Sequence, residues 1–557
     1  MTTPSDGPTA AIGPLRAAVS GLVAAAAALS AGELAGAIAA PRPGPVIAVA
    51  NRVIDLAPNW FVDFGKSVFG LSDKPALVLG TVIIALAVGA GLGIASRRDP
   101  RPGITGIAAF GLIGLLAIGT DAQGGWVIAL VASAVAVAAG VLTLIALLLT
   151  GRGGWRRAPP IARRRPTAVG GDERPADDGE PTPELAGRPI GSPIDPAVSR
   201  RSFLNLAGSV TAAAAAAAAG ANLLRGRSSA ADARAAVRLD SALTETELEA
   251  RLAAAATTEV ARTPGITPIV VPNDRFYQID TAVLTPQVDP ADWELRIVGM
   301  VDRERTYTYR ELLERATTVE PVTLSCVSNE VGGNLVGNAV WQGVPLVDLL
   351  DEAGIEAGAT QIASRSVDGW TCGFPTELAY DGRTALVAVA MNDEPLPLRH
   401  GFPARLVVSG LYGYVSATKW LSEIELTTLE GFDGYWIPRG WSKSGPVKTQ
   451  SRIDTPRDGT SVRVGTVPVA GVAWAPDLGI ERVEVQIDQG DWLAAELGHS
   501  LGVNAWRQWL LPWEATEGQH RIRVRATDGS GETQTSEMRP PAPSGATGWH
   551  EVEITVT

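Results

Sequence analysis

Cys326 is one of only two cysteines in a chain of 557 residues, and its surroundings give it chemical interest. Val322 to Leu324 reads as the end of a strand, and the SNEVGGN run that follows (Ser328–Asn334) reads as a tight polar loop. Gly332 and Gly333 free the backbone there, so a sulfur at a strand end can meet an approaching metal or cofactor. A lone cysteine is otherwise most often a small core residue, and the loop alone leaves both uses open. Downstream, GVPLVDLL (Gly343–Leu350) has the apolar spacing of a helix that begins after a turn. The other thiol, Cys372, follows Trp370 by two positions in SVDGWTCG.

Three further stretches accompany the cysteine loop: NDRFYQIDTA (Asn273–Ala282), HGFPARLVVSGLYGYVSATKWL (His400–Leu421), and the pair GVAWAPDLGIERVEVQIDQGDW and WRQWLLPW near the end. Together, and in this order, they resemble the sulfite oxidase family of molybdenum-cofactor oxidoreductases. The resemblance implies a molybdenum-molybdopterin cofactor with Cys326 as its thiolate metal ligand. Soft thiolate donors suit such a metal, and coordination needs the deprotonated sulfur. It also implies pterin and phosphate contacts from Tyr277, Gln278, Asp368, Thr371, His400 and Arg405, and from Ser416, Ala417, Thr418 and Lys419. Arg405 can fork onto phosphate oxygens, and Lys419 supplies a point charge. Tyr412 and Tyr414 in GLYGY either donate hydrogen bonds near the metal, as catalytic groups, or simply pack. A disulfide between Cys326 and Cys372 would consume the ligand, so Cys372 is expected as a free or buried thiol. His499, His520 and His550 carry no assigned role.

The chain departs from the animal and plant sulfite oxidases at two places. Where those carry arginines that help hold a small dianion, this sequence has Ile279 and Val331. A pocket without those guanidiniums loses attraction for sulfite. Three readings follow: oxygen-atom transfer on a small S- or N-oxide; sulfite oxidation with electrons passed to a cytochrome; or a non-enzymatic envelope binding protein. A small-molecule substrate and an electron partner, a cytochrome or a membrane haem protein, go with the first two. The family's C-terminal domain implies a homodimer.

The elements that must position these residues come in a multi-domain order. Long Ala/Val/Leu/Ile/Gly runs within 1–150 predict a four-span α-helical transmembrane bundle, near Leu15–Ala37, Ala76–Ile94, Gly103–Gly119 and Trp126–Leu149. Between the first two, the stretch 41–74 reads as an interfacial amphipathic helix or a packed loop. Residues 2–240 contain no His, Met, Cys or Tyr, so no haem is expected in this part. Residues 151–198 read as a disordered linker, basic and then acidic. Its arginines, with those of Ser96–Arg101, place it and the N-terminus in the cytoplasm. Residues 199–225 combine Arg200-Arg201, a match to the twin-arginine export pattern, with an Ala-rich fifth span. That route carries folded domains, so the catalytic part is expected outside the plasma membrane. A helical stalk (226–264) then leads to an α+β molybdopterin domain (265–445). Alternating strands over 446–557 predict an immunoglobulin-like antiparallel β-sandwich. The formal charge of −12, with its basic run beside the membrane, argues against nucleic-acid binding.

Overall fold

The computed structural model describes residues 12–39, 44–58, 61, 64–65, 68–69, 73–152, 196–226, 229–239 and 246–557. Most of the expected linker lies outside them. The chain divides into two compact units: Met1–Leu56, Phe64–Thr120 and Gly124–Gly226 form one, and Ala57–Asp63, Asp121–Gln123 and Arg227–Thr557 the other.

The first unit is helical: α1 (Pro14–Ala39), α2 (Pro45–Leu56), α3 (Asp73–Ala95), α4 (Arg101–Thr120), α5 (Trp126–Arg152) and α6 (Pro196–Gly226). All but α2 are long and apolar enough to cross a membrane, α6 over Arg201–Leu224. Their outward faces carry bare aliphatics such as Leu79, Ile84, Leu112, Leu130 and Leu142. In lipid such faces add no force between helices, so close backbone packing must hold the bundle. Glycines supply it: a methyl built on Gly21 of α1 would lie 2.0 Å from the Gly89 carbonyl and 2.7 Å from Gly93 Cα, both on α3. Glu33, the one acid in α1, accepts a 2.7 Å hydrogen bond from the Val46 amide in the first turn of α2, a favourable place for a carboxylate. Phe203 and Ala207 of α6 pack against Val23 and Leu147.

The second unit opens with α7 (Ser229–Ala236), α8 (Thr246–Thr257) and α9 (Glu259–Arg262), in the segment expected as a stalk. These helices lie along the globular part: Leu248 packs with Val319 and Val340, and Val260 with Ala470 and Leu510.

The domain that follows is built from β1 (Glu294–Gly299), β2 (Arg305–Thr308), β3 (Thr318–Ser325), β4 (Val336–Pro345), β5 (Gln361–Ser366), β6 (Thr371–Pro375), β7 (Ala385–Met391), β8 (Glu394–Pro395), β9 (Arg405–Val408) and β10 (Leu421–Thr427). One sheet runs β2-β1-β10-β5-β6; the other runs β3-β4-β7-β8, with β9 on β7. The helix α10 (Tyr309–Arg315) starts with a capping box between Thr308 and Glu311. The β7–β8 hairpin turns on Asn392 and Asp393, both at positive φ (52° and 61°), which Asn and Asp tolerate best after glycine. Pro321 sits within β3, a strand at the sheet edge, where a missing amide is tolerated. Trp341, Phe374 and Phe402 are fully buried in the core.

From Gln450 the chain forms two facing sheets. They are made of β11 (Gln450–Thr455), β12 (Ser461–Val462), β13 (Gly465–Trp474), β14 (Ile480–Ile487), β15 (Trp492–Ala494), β16 (Glu496–Leu497), β17 (Arg507–Ala515), β18 (Gly518–Asp528) and β19 (His550–Val556). The orders are β11-β13-β17-β16 and β12-β19-β18-β14-β15. Inward residues of both, including Val469, Trp509, Val485, Val524 and Ile554, share one core, as the alternation of strand residues predicts.

Candidate cofactor site

Cys326 follows the last residue of β3, and its loop is closed by its own polar groups. The Cys326 amide donates to the Leu335 carbonyl (2.9 Å), and the Asn329 amide donates to the Cys326 carbonyl (3.0 Å). Asn329 Oδ1 then accepts from the Leu335 amide at 2.8 Å. This ring of bonds brings Leu335 back to start β4 and leaves the thiol at the fold of the hairpin. The two cysteines are not joined in a disulfide, and both are buried. Two phenols lie within electrostatic range of the thiol. Burial pushes Tyr277 far up, with Cys326 adding and Arg405 opposing. Burial likewise pushes Tyr412 up to about 12, with a hydrogen bond from Lys448 opposing and Cys326 adding.

A second group lies beside it. His400 ends a short 3-10 turn and is fully buried. Its Nε2 meets the Asn273 carbonyl at 2.9 Å and so carries the proton. The other ring nitrogen, Nδ1, is buried with no hydrogen-bond partner. Burial drives this imidazole down to about 3, and the positive charges of Lys419, Arg405 and Arg399 push the same way, while the Asn273 carbonyl opposes. Arg405, on β9, donates to the His400 carbonyl (3.2 Å) and lies 4.9 Å from the Trp341 ring centroid. Burial lowers its pKa to about 10. Among the described residues no carboxylate pairs with it. Phe276 packs edge-on to both Trp341 and His400, fixing the floor of this pocket.

The remaining expected residues divide. Lys419 reaches Asp280 Oδ2 at 3.1 Å and the Arg399 carbonyl at 3.2 Å. Gln278 donates to the same carboxylate oxygen. Burial raises the Asp368 pKa; the bonds from Ser366 and Trp370 lower it, Asp280 raises it and Lys419 lowers it, so all three charges share one neighbourhood. Thr371 is half-buried on β6, and its carbonyl accepts from the Tyr435 amide. The Ser416 hydroxyl donates to the Tyr412 carbonyl, and Ala417 donates its amide to Gly413. The Thr418 hydroxyl is tied to Ser364 (2.6 Å) and to Cys372 Sγ (3.1 Å). Tyr414 directs its hydroxyl at the Ser442 carbonyl, 2.5 Å away. The sequence reading passed over Asn273, Asp280 and Trp341. The first two lie inside the quoted NDRFYQIDTA motif, but polar pairing across the fold has no periodic signature.

The family described as oxidoreductase molybdopterin binding domain matches residues 282–436. The mitochondrial sulfite oxidase of Rattus norvegicus is 28% identical over 320 residues, 49% of this chain and 58% of that protein. The match thus spans less than two thirds of the rat protein. An uncharacterized oxidoreductase, YuiH, of Bacillus subtilis is 32% identical over 157 residues, 28% of this chain and 76% of that protein. The chain belongs to the sulfite oxidase family. The solved sulfane dehydrogenase SoxCD of Paracoccus pantotrophus superposes with a TM-score of 0.43 at 23% identity, over 50% of this chain and 77% of that one.

The sulfite oxidase family's cofactor is a molybdenum ion held by a phosphorylated pterin, and this chain's residues fit such a group. A buried guanidinium without a counter-ion suits a phosphate, since an uncompensated buried charge costs several kcal/mol. The unpartnered Nδ1 of His400 is an acceptor facing a donor yet to arrive. Cys326 offers the soft donor. Among the described residues no cluster of three or more His, Cys, Asp or Glu could hold an ion unaided, so a metal beside Cys326 must bring other ligands with it.

Proposed function

We propose that this protein is a membrane-anchored molybdenum oxidoreductase that moves an oxygen atom to or from a small S- or N-oxide. The carrying observation is Arg405, buried with no carboxylate partner among the described residues and set beside the orphaned nitrogen of His400, in the domain that also presents Cys326. In this reading Arg405 binds the pterin phosphate and His400 accepts from an N–H donor of the pterin, with Lys419, Gln278, Asp368 and Thr371 lining the approach. The Ser416–Thr418 turn contributes through its backbone. Bound molybdenum supplies two-electron oxygen-atom transfer. The protein's part is to hold the metal by Cys326, exclude water with Tyr277 and Tyr412, and orient the substrate.

The substrate class rests on Ile279 and Val331, apolar where the resembling enzymes hold arginine. Ile279 is 44% exposed and can line an open approach without offering charge. Two missing charge-assisted hydrogen bonds weaken a small dianion by about two decades or more. Five spans, an outward catalytic domain delivered by the Arg200-Arg201 signal, an immunoglobulin-like C-terminal dimer and a cytochrome or membrane haem partner complete the proposal. The apolar faces of the helices support the anchor.

Molybdenum and pterin analysis of the purified protein, beside Cys326→Ser, tests the core of this reading. Wild type should carry both, and the serine variant should keep its fold and lose turnover, because a hydroxyl is a poor soft-metal donor. Unchanged turnover in the variant removes Cys326 from the metal. Steady-state kinetics with sulfite and with methionine sulfoxide then tests the substrate. A sulfite Michaelis constant in the low micromolar range, unimproved when arginines are restored at 279 and 331, overturns the oxide reading.

A further inference from the structure

The cysteine loop is held by residues that lie far along the chain. Arg452, on β11, donates through Nη1 to the Gly333 carbonyl at 2.8 Å. Its fork is fixed from two other sides: Nε donates to Asp454 Oδ1 at 2.7 Å, and Nη2 donates to Thr267 Oγ1 at 2.9 Å. Asp454 in turn accepts from the Thr267 amide. A guanidinium clamped by two other acceptors is already set in place for the loop carbonyl. His550, the first residue of β19, accepts from the Ile453 amide through Nδ1 at 2.9 Å, so its other nitrogen carries the proton. The ring lies flush against Gly332, which sits at φ +76°. A methyl built on Gly332 would lie 2.1 Å from His550 Cδ2, so any side chain there would displace the ring. Upstream, the β3 edge is clasped as well: the Thr323 amide donates to the Asn504 carbonyl, and the Trp506 amide donates to Thr323 Oγ1. The hairpin that presents Cys326 is therefore gripped on both sides of the thiol by the C-terminal sheets and the segment leading into β17.

We propose that Arg452 and His550 are positioning residues for Cys326, and that the C-terminal sheets serve as the rear wall of the thiolate loop. The proposal rests on the reading of Cys326 as the metal ligand, and goes beyond it. A ligand sulfur has to be held to a fraction of an ångström. The loop's own bonds, through Asn329, Leu335 and the Gly333 amide to the Glu330 carbonyl, close the hairpin but do not stop it from swinging as a body. Arg452 and His550 meet it at Gly332 and Gly333, beside those internal bonds, and remove that freedom.

The test uses the full-length protein purified in detergent from a host that makes no molybdopterin, so that its readout does not depend on a loaded site. Alkylation of Cys326 by iodoacetamide is followed by peptide mass spectrometry, with the fully buried Cys372 as the internal reference. Arg452→Met and His550→Leu should speed alkylation of Cys326 by about tenfold or more, the loss of one charge-assisted bond or one ring contact, with Cys372 unchanged. His550→Asn, which keeps an acceptor at the Nδ1 position but loses the ring edge that meets Gly332, should fall between wild type and His550→Leu. Where Arg452→Met does not accumulate, Arg452→Lys loses the fork and gives the same readout at smaller amplitude. Wild-type rates in the Met and Leu variants overturn the proposal, and so do equal accelerations at Cys326 and Cys372, which signal general loosening. In protein made with cofactor, the same variants should lower kcat and leave KM unchanged. Unchanged turnover in Cys326→Ser dismisses the ligand reading and leaves the alkylation result standing by itself.

Discussion

Arg405 and Lys419 are both buried cations of the same domain, 4% and 8% exposed, and they are treated in opposite ways. Lys419 has a carboxylate within 3.1 Å, and that Asp280 is itself nearly buried. Arg405 has two backbone carbonyls and the face of Trp341, but no acid among the described residues. Carbonyl dipoles and a ring quadrupole soften the cost of a buried charge without cancelling it. The difference separates a charge neutralised within the fold from one held open for an incoming anion. It also makes opposite demands on the two side chains when the cofactor is absent.

The largest effect should come from Lys419→Met in cofactor-free protein. It takes the nearby cation from a nearly buried Asp280, and removes the charge shielding Asp280 from Asp368. Breaking one side of a buried pair costs about 3–5 kcal/mol. Urea unfolding at neutral pH measures this; equal stability to wild type would erase the distinction between the two cations.

Arg405→Met should do the reverse. Without ligand it relieves a desolvated charge, so stability stays level or rises. Cofactor binding loses a forked charge-assisted contact, a weakening of about tenfold to a hundredfold. Pterin content after dialysis reads this directly, and a variant that unfolds more easily yet keeps its pterin contradicts it.

Neither fate could be read from the motifs. HGFPAR and ATKW offered Arg405 and Lys419 as equivalent phosphate contacts, because the acid that neutralises Lys419 lies in a different motif, at Asp280. The long apolar helices were legible since composition alone marks them, and the core strands of 446–557 since alternation does. The cysteine loop was legible through its glycines, but one reason for Gly332 was not. It comes from His550, a histidine to which the chain's local pattern assigns nothing. Contacts between distant polar groups and backbone carbonyls leave no period to detect, and the Asn273, Arg452 and His550 contacts are all of that kind.

The unpaired Arg405 also acts on its neighbour. His400 is driven down to about 3, first by burial and then by Lys419, Arg405 and Arg399. Between the ordinary histidine value of about 6.5 and that folded value, the unfolded chain holds a proton that the folded chain does not. Stability therefore falls as pH falls through this window, by up to about 1.4 kcal/mol per pH unit from this group, and is insensitive to it above. Unfolding of cofactor-free protein at pH 7 and pH 5 should show the slope, and His400→Gln should flatten it. A slope unchanged by that substitution assigns the acid sensitivity elsewhere.

The smallest effect applies the same distinction to a neutral donor. Tyr414 stands in GLYGY where a hydroxyl for the substrate was one of two readings. In the fold that hydroxyl is committed: it donates to the Ser442 carbonyl at 2.5 Å, with the Ser444 carbonyl at 3.3 Å, and its ring packs at 5.9 Å against Trp441. It thus resembles Lys419 more than Arg405, a polar group already satisfied by the protein. Removing it in Tyr414→Phe leaves the ring packing intact and frees two carbonyls that lie near the surface, where water can replace the donor. The expected cost is about 1 kcal/mol of stability. Turnover should change by less than about threefold, since no interaction peculiar to the transition state is lost. Thermal unfolding and kcat measured on the same preparation separate the outcomes. A turnover loss of tenfold or more at unaltered stability would mean that the hydroxyl leaves Ser442 to meet substrate, and would move Tyr414 from the satisfied groups to those held open.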